Sequence, residues 1–140
     1  MKVMVLVKGT ERSEAGELGT PEEFAAMEVF MQQIVEAGVL LAGDGLQPSS
    51  KGKRIAFDAD GNSTVIDGPF AETKELVAGY SILEVASMDE AVEWVKRTPY
   101  RGSASVVELR KILDMDDFSE SFAAEKTAAE DRIREELTAG

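Results

Sequence analysis

LVAGYSILEVASMDEAVEWVKRTP, residues 76–99, places a strand directly before a capped helix, and that junction decides the fold. Val77–Val85 reads as a strand of mixed polarity. Ser87 followed by Glu90 is a capping box, in which a hydroxyl and a carboxylate satisfy backbone N–H groups at a helix start. The helix it opens buries Met88, Ala91, Val92 and Val95 and ends before Pro99, because the residue preceding proline is driven out of the helical region. The same unit stands at the beginning of the chain. Met1–Lys8 is a valine-rich strand ending at Gly9, and Thr20-Pro21-Glu22-Glu23 starts a helix with Thr20 as N-cap and Glu23 closing the box. Phe24, Met27, Phe30, Met31, Ile34 and Val35 recur at three- and four-residue steps, and Gly38 caps the end.

Three strands are expected between the two units. Val39–Ala42 is short and runs into a Gly43–Gly52 loop; Arg54–Asp58 and Ser63–Asp67 flank the turn Ala59-Asp60-Gly61-Asn62 as a hairpin. Ser105–Leu113 closes the chain's core. The order β-α-β-β-β-β-α-β predicts an α+β fold with an antiparallel sheet, a ferredoxin-like split βαβ carrying an extra hairpin over residues 1–113. In that fold two helices cover one face of the sheet. Val3, Val5 and Val7 alternate with Met4 and Leu6, so both faces are apolar and a second sheet packed face to face, in a homodimer, is expected. Residues 114–140 carry nine acids and three bases, half of the net charge of −12. Phe118, Phe122, Ala129, Ile133 and Leu137 trace an apolar stripe there, and the segment reads either as a helical extension or as a frayed charged tail.

Composition removes whole classes of function. With 140 residues the chain fits one domain. It contains neither cysteine nor histidine, which excludes disulfides, thiolate and histidine catalysis and the common zinc sites. No metal and no cofactor are expected. The negative charge opposes a nucleic-acid surface or adhesion to anionic lipid, and Val3–Val7 is too short for a membrane span, so a cytoplasmic location is expected.

The remaining motifs were weighed on their spacing. Gly43–Lys53 superficially suggests a phosphate loop, but six residues separate Gly45 from Gly52, and Arg54 stands where Ser or Thr is required. Asp58-x-Asp60-x-Asn62 lacks the glycine and the final acid of a calcium loop, and Asp114-x-Asp116 has Ser119 at the sixth place. Trp94 lies off its helix's apolar stripe, as a core-edge or interface residue. Asp67, before Gly68-Pro69, has two readings: a turn carboxylate accepting backbone N–H groups, which is the commoner use, or a cleft base with Glu72 and Lys74 near it. Glu108 and Arg110 point to one face of the last strand, either as a rim salt bridge or as polar groups lining a barrel.

DGPFAETKELVAGY, residues 67–80, closely resembles the signature of the DGPF branch of the YCII-related family. The likeness extends to Val5–Lys8, to AGVLLAGDGLQPSSKG at 37–52, to Glu90–Lys96 and to Asp116-Asp117-Phe118, so it covers nearly the whole chain. The resemblance implies a dimeric α+β barrel, a cleft between sheet and loops, no settled activity, and a frequent genetic setting beside extracytoplasmic-function sigma factors. Two positions depart from the pattern. Glu23 and Phe24 stand where shorter members carry a histidine, and Gln47 replaces the histidine of a Leu-His-Pro-Ser loop, so a histidine mechanism does not transfer. The combined expectation is a cofactor-free small-molecule protein, with a lyase or isomerase as one form of it. Asp67 or Glu72 would be the base, Lys8, Lys74 or Arg110 would hold an anion, and Gln47, Phe70 and Glu108 would line the ligand. The alternative is a non-catalytic partner of a sigma factor.

Overall fold

The structure is a computed structural model that describes residues 1–100, 104–118 and 120–139. Strands β1 (Lys2–Lys8), β2 (Leu40–Gly45), β3 (Lys53–Phe57), β4 (Ser63–Asp67), β5 (Val77–Glu84) and β6 (Val107–Lys111) alternate with helices α1 (Glu11–Glu14), α2 (Pro21–Glu36), α3 (Met88–Val95) and α4 (Glu120–Ala139). Four strands form one antiparallel sheet in the order β2-β5-β1-β6, and β3 and β4 form a separate two-stranded ribbon. From β1 the chain crosses by α2 to the edge strand β2. It returns beside β1 as β5, then crosses by α3 to the opposite edge as β6. This is the ferredoxin-like split βαβ with the hairpin inserted between its second and third strands.

Strand alternation and two caps build the core. The register pairs Val3 with Leu83 and Val5 with Leu109, placing these residues on one face. There Val3, Val5, Leu83 and Val85 pack with Phe30 and Ile34 of α2 and Ala91 of α3, all buried. Each helix starts with its expected N-cap: Thr20 Oγ1 accepts the Glu23 N–H at 3.2 Å, and Ser87 Oγ accepts that of Glu90 at 3.1 Å. The returning half of each box goes elsewhere. The Glu90 carboxylate accepts the Ala86 N–H at 2.6 Å, and that of Glu23 accepts from Arg12. Gly38 follows the C-cap Ala37 with φ +71°, the left-handed turn that favours glycine.

Helices α2 and α3 pack on the face of Val3 and Val5, and among the described residues no helix packs on the opposite one. Met4, Leu6 and Ile82 lie there half-buried, and by register the same face carries the half-buried Tyr80 and Glu108 and the exposed Asp44 and Arg110. Three expectations change. Gly43–Gly45 is strand rather than loop: β2 continues because Gly43 lies against β5 so closely that a Cβ would meet Ser81 at 3.2 Å. The last strand is shorter at both ends, Val107–Lys111. A four-residue helix, α1, interrupts the expected link after β1, with Thr10 and Ser13 exchanging side-chain and backbone bonds as its cap. Beyond β6, Phe118 stacks on Phe122 with ring centres 5.1 Å apart, and α4 buries none of its described residues. Among the described residues no helix is long and apolar enough to cross a membrane.

Candidate functional site

Beyond the C-terminal end of β1 lies a groove of ≈ 890 Å³. The strand stops at Gly9, where a Cβ would meet the Thr73 carbonyl at 2.8 Å, so only glycine lets the 73–75 turn approach this closely. One wall is α1 and the segment after it, a second is Thr73 and Lys74, and a third is Tyr100 and Ala104–Val106. Lys8 lines the groove with its side chain 18% exposed. Its ammonium stands 3.6 Å from Glu108 Oε1, beyond hydrogen-bonding reach, and bonds no other described side chain. Arg12 is held by Glu17 at 3.0 Å and by Glu23 at 3.3 Å, and the Glu17 bond is the main cause lifting its already high pKa. Lys74 is exposed and makes no hydrogen bond or ion pair to a described residue. Burial raises the Tyr100 phenol above its ordinary value.

The preceding part of the Asp67–Lys74 turn, Asp67–Glu72, lies outside the groove lining and has another task. Gly68 approaches the Ser49–Gly52 loop so closely that a Cβ would fall 1.7 Å from the Ser49 carbonyl oxygen. Its N–H donates to the Gly52 carbonyl at 3.0 Å, and the Phe70 N–H donates to Ser49 Oγ at 3.1 Å. Ser49 in turn donates through its N–H (3.1 Å) and hydroxyl (2.6 Å) to the two oxygens of Glu14 on α1. Arg54 sits 3.9 Å over the Phe70 ring. The signature turn is thus bracketed to α1, the wall of the groove, by one serine and one carboxylate.

Of the sequence-derived site residues, the groove brings together Lys8 and Lys74. Asp67 is 74% exposed and pairs with Lys53, its cross-strand neighbour, and accepts no backbone N–H among the described residues. The turn-aspartate role belongs instead to Asp58, which accepts the N–H groups of Asp60 and Asn62, both at 2.9 Å. Glu72 and Gln47 are exposed, and Phe70 is half-buried in the bracket. Glu108 and Arg110 lie on the helix-free face, 3.4 Å apart. On that face Tyr80 donates to Asp44 at 3.1 Å, and this bond raises the phenol's pKa. Sequence reasoning missed Arg12, Glu17 and Tyr100. Gly9 was the available signal, since a glycine closing an apolar strand often marks a close approach. No group of three or more acidic, His or Cys side chains suited to a metal occurs among the described residues.

Residues 1–116 match the YCII-related domain family, and the chain belongs to that family. Uncharacterized protein R00369 of Rhizobium meliloti (strain 1021) is 36% identical over 70 residues, 50% of this chain and 56% of the relative. The match therefore spans little more than half of that relative's length. The 5-chloro-2-hydroxyhydroquinone dehydrochlorinase (TftG) of Burkholderia phenoliruptrix AC1100, solved with 2,5-dihydroxybenzoquinone, is 16% identical. It aligns over 84% of this chain and 100% of its own at a TM-score of 0.43, too distant a likeness to lend this chain any of its chemistry.

Proposed function

We propose that this member of the YCII-related family is a small-molecule-binding protein that takes its ligand into the groove beyond β1 and works as a homodimer. Lys8 carries the reading. Its ammonium is largely withdrawn from solvent, and its one described partner is Glu108, an ion pair at 3.6 Å that makes no hydrogen bond. A charge withdrawn from water in this way costs free energy unless an anion or ordered water completes its hydrogen bonds. The groove's size lies within the range of small-molecule pockets. Dimerisation is supported by Met4, Leu6 and Ile82, half-buried on a sheet face that no helix covers among the described residues.

Turnover in such a groove would be cofactor-free proton transfer, an elimination or an isomerisation, run by carboxylates in a chain without histidine. Glu17 and Glu23 line the groove and so take the role first considered for Asp67 and Glu72, which do not. The test is a metabolite thermal-shift screen on the wild type and Lys8→Gln. Ligands that stabilise the wild type and not the variant support the reading; a screen in which both respond alike, or neither responds, overturns it. Light scattering should give about twice the 15.1 kDa chain mass, and a monomer at micromolar concentration would remove the dimer. A second reading, a regulatory partner of an extracytoplasmic-function sigma factor, is favoured by α4, which is acidic and buries none of its described residues. Co-purification with such a factor that is lost when Glu125, Glu130 and Glu136 become glutamine would support it.

A further inference from the structure

The charges around the groove restrict what it can hold, and this step rests on the ligand-binding reading above. We propose that the ligand is a singly charged organic acid with an apolar body, and that the glutamates of the groove wall exclude its doubly charged analogues. Lys8 lines the groove with an ammonium that is ion-paired to Glu108 at 3.6 Å but makes no hydrogen bond to a described residue, which leaves room for one further carboxylate. The guanidinium of Arg12 is not available on the same terms. Glu17 and Glu23 both engage it, so that this trio carries a net negative charge, and Glu11 adds another. Lys74 balances the described lining at three cations and three carboxylates, with Glu108 beside Lys8 as a further carboxylate, in a chain of net charge −12. A first negative charge on a ligand meets Lys8 and Lys74. A second one would face glutamates, which is discrimination by repulsion rather than by an added contact.

The apolar half of the ligand follows from the rest of the lining. Val7, Ala78, Ala104 and Val106 supply hydrocarbon to the lining, which also includes Leu18, 86% exposed. Leu18 is carried between Gly16 and Gly19, both at positive φ, and an exposed leucine beside an apolar wall gains from covering a ligand's apolar surface.

A matched pair of probes tests the charge rule. Phenylacetate and phenylmalonate share one body and differ by one carboxylate; inorganic phosphate adds a compact anion. Titration calorimetry on the full chain should show phenylacetate binding at least about tenfold more tightly than phenylmalonate or phosphate. Lys8→Met should weaken phenylacetate by about tenfold or more, the loss of a charge-assisted hydrogen bond. Lys8→Gln, which keeps the length and a polar end, serves the same purpose if the methionine variant does not fold. Glu17→Gln should narrow the gap between the two acids by relieving the repulsion. Phenylmalonate or phosphate binding as tightly as phenylacetate, with Lys8 still required, overturns the charge rule and leaves the ligand-binding reading standing. Phenylacetate binding that ignores Lys8 overturns the proposal, and no binding by any probe defeats both.

Discussion

The turn at Asp67–Lys74 and the segment Gly9–Gly19 are joined through Ser49 and Glu14, yet they carry opposite kinds of information. The turn is the most distinctive stretch of the sequence and serves as a bracket; the segment is bland in sequence and walls the groove. Gly68 explains the first half of the contrast. Its backbone lies where any side chain would strike the Ser49 carbonyl, so the residue type is dictated by space. The second half follows from the nature of a binding wall. Glu11, Arg12 and Glu17 are ordinary surface types that only the fold brings to one groove with Lys8, and the role proposed for them rests on that. Distinctive sequence here marks backbone constraint, and the groove proposed to hold a ligand lies beside it.

The largest effect that could break this comparison is Gly68→Ala. A Cβ 1.7 Å from a carbonyl oxygen forces the turn and the Ser49 loop apart, which should cost about 3 kcal/mol or more in urea unfolding. Near-normal stability would mean that the bracket is not tight. Ser49→Ala is next. It leaves the Phe70 N–H and the Glu14 carboxylate without the hydroxyl, for a loss of about 1–3 kcal/mol, and it should quicken amide exchange over residues 10–16 while the β1–β5 ladder stays protected. Ser49→Thr should recover most of that loss. If exchange in α1 is unchanged, the turn does not hold the groove wall.

Asp67→Asn should do much less. The Lys53–Asp67 pair is exposed on both sides, and such pairs contribute about 0–1 kcal/mol. A larger loss would return Asp67 to a structural role that the geometry gives to Asp58. The smallest effect is a pH slope. The backbone N–H of Asn62, with that of Asp60, holds the Asp58 carboxyl below its usual 3.8. A depressed folded value means that the unfolded chain binds the proton first as pH falls. The contribution is therefore complete above pH 3.8 and fades as pH drops through the lower folded value. Asp58→Asn should flatten that part of the stability curve, and an unchanged slope would show that the turn bonds do not favour the charged form.

The two cases of aspartate before a turn show how far local reading reaches. Asp67 precedes Gly68-Pro69 and Asp58 precedes Ala59–Asn62, and the pattern alone does not separate them. Register does: Asp67 lies directly across from Lys53 in the β3–β4 ladder, and the long ammonium takes its carboxylate. Gly43–Gly45 failed for a related reason. Glycines show no side-chain alternation, so nothing local says strand, and only the ladder with β5 assigns them. With four residues and no period, α1 was equally silent.

By itself the sequence determined the order of the six strands with α2 and α3, the starts of those two helices and the alternation that buries Val3 and Val5, because caps and periodicity act over a few neighbouring residues. It also removed histidine and thiolate chemistry outright, because composition is independent of fold. Tertiary structure alone decided where the groove lies, that Lys8 faces Glu108 across 3.6 Å without a hydrogen bond, and that Arg12 is shared by two glutamates. Burial and pairing of charges depend on segments that are distant in the chain and adjacent in space, and no local pattern records which segments those are.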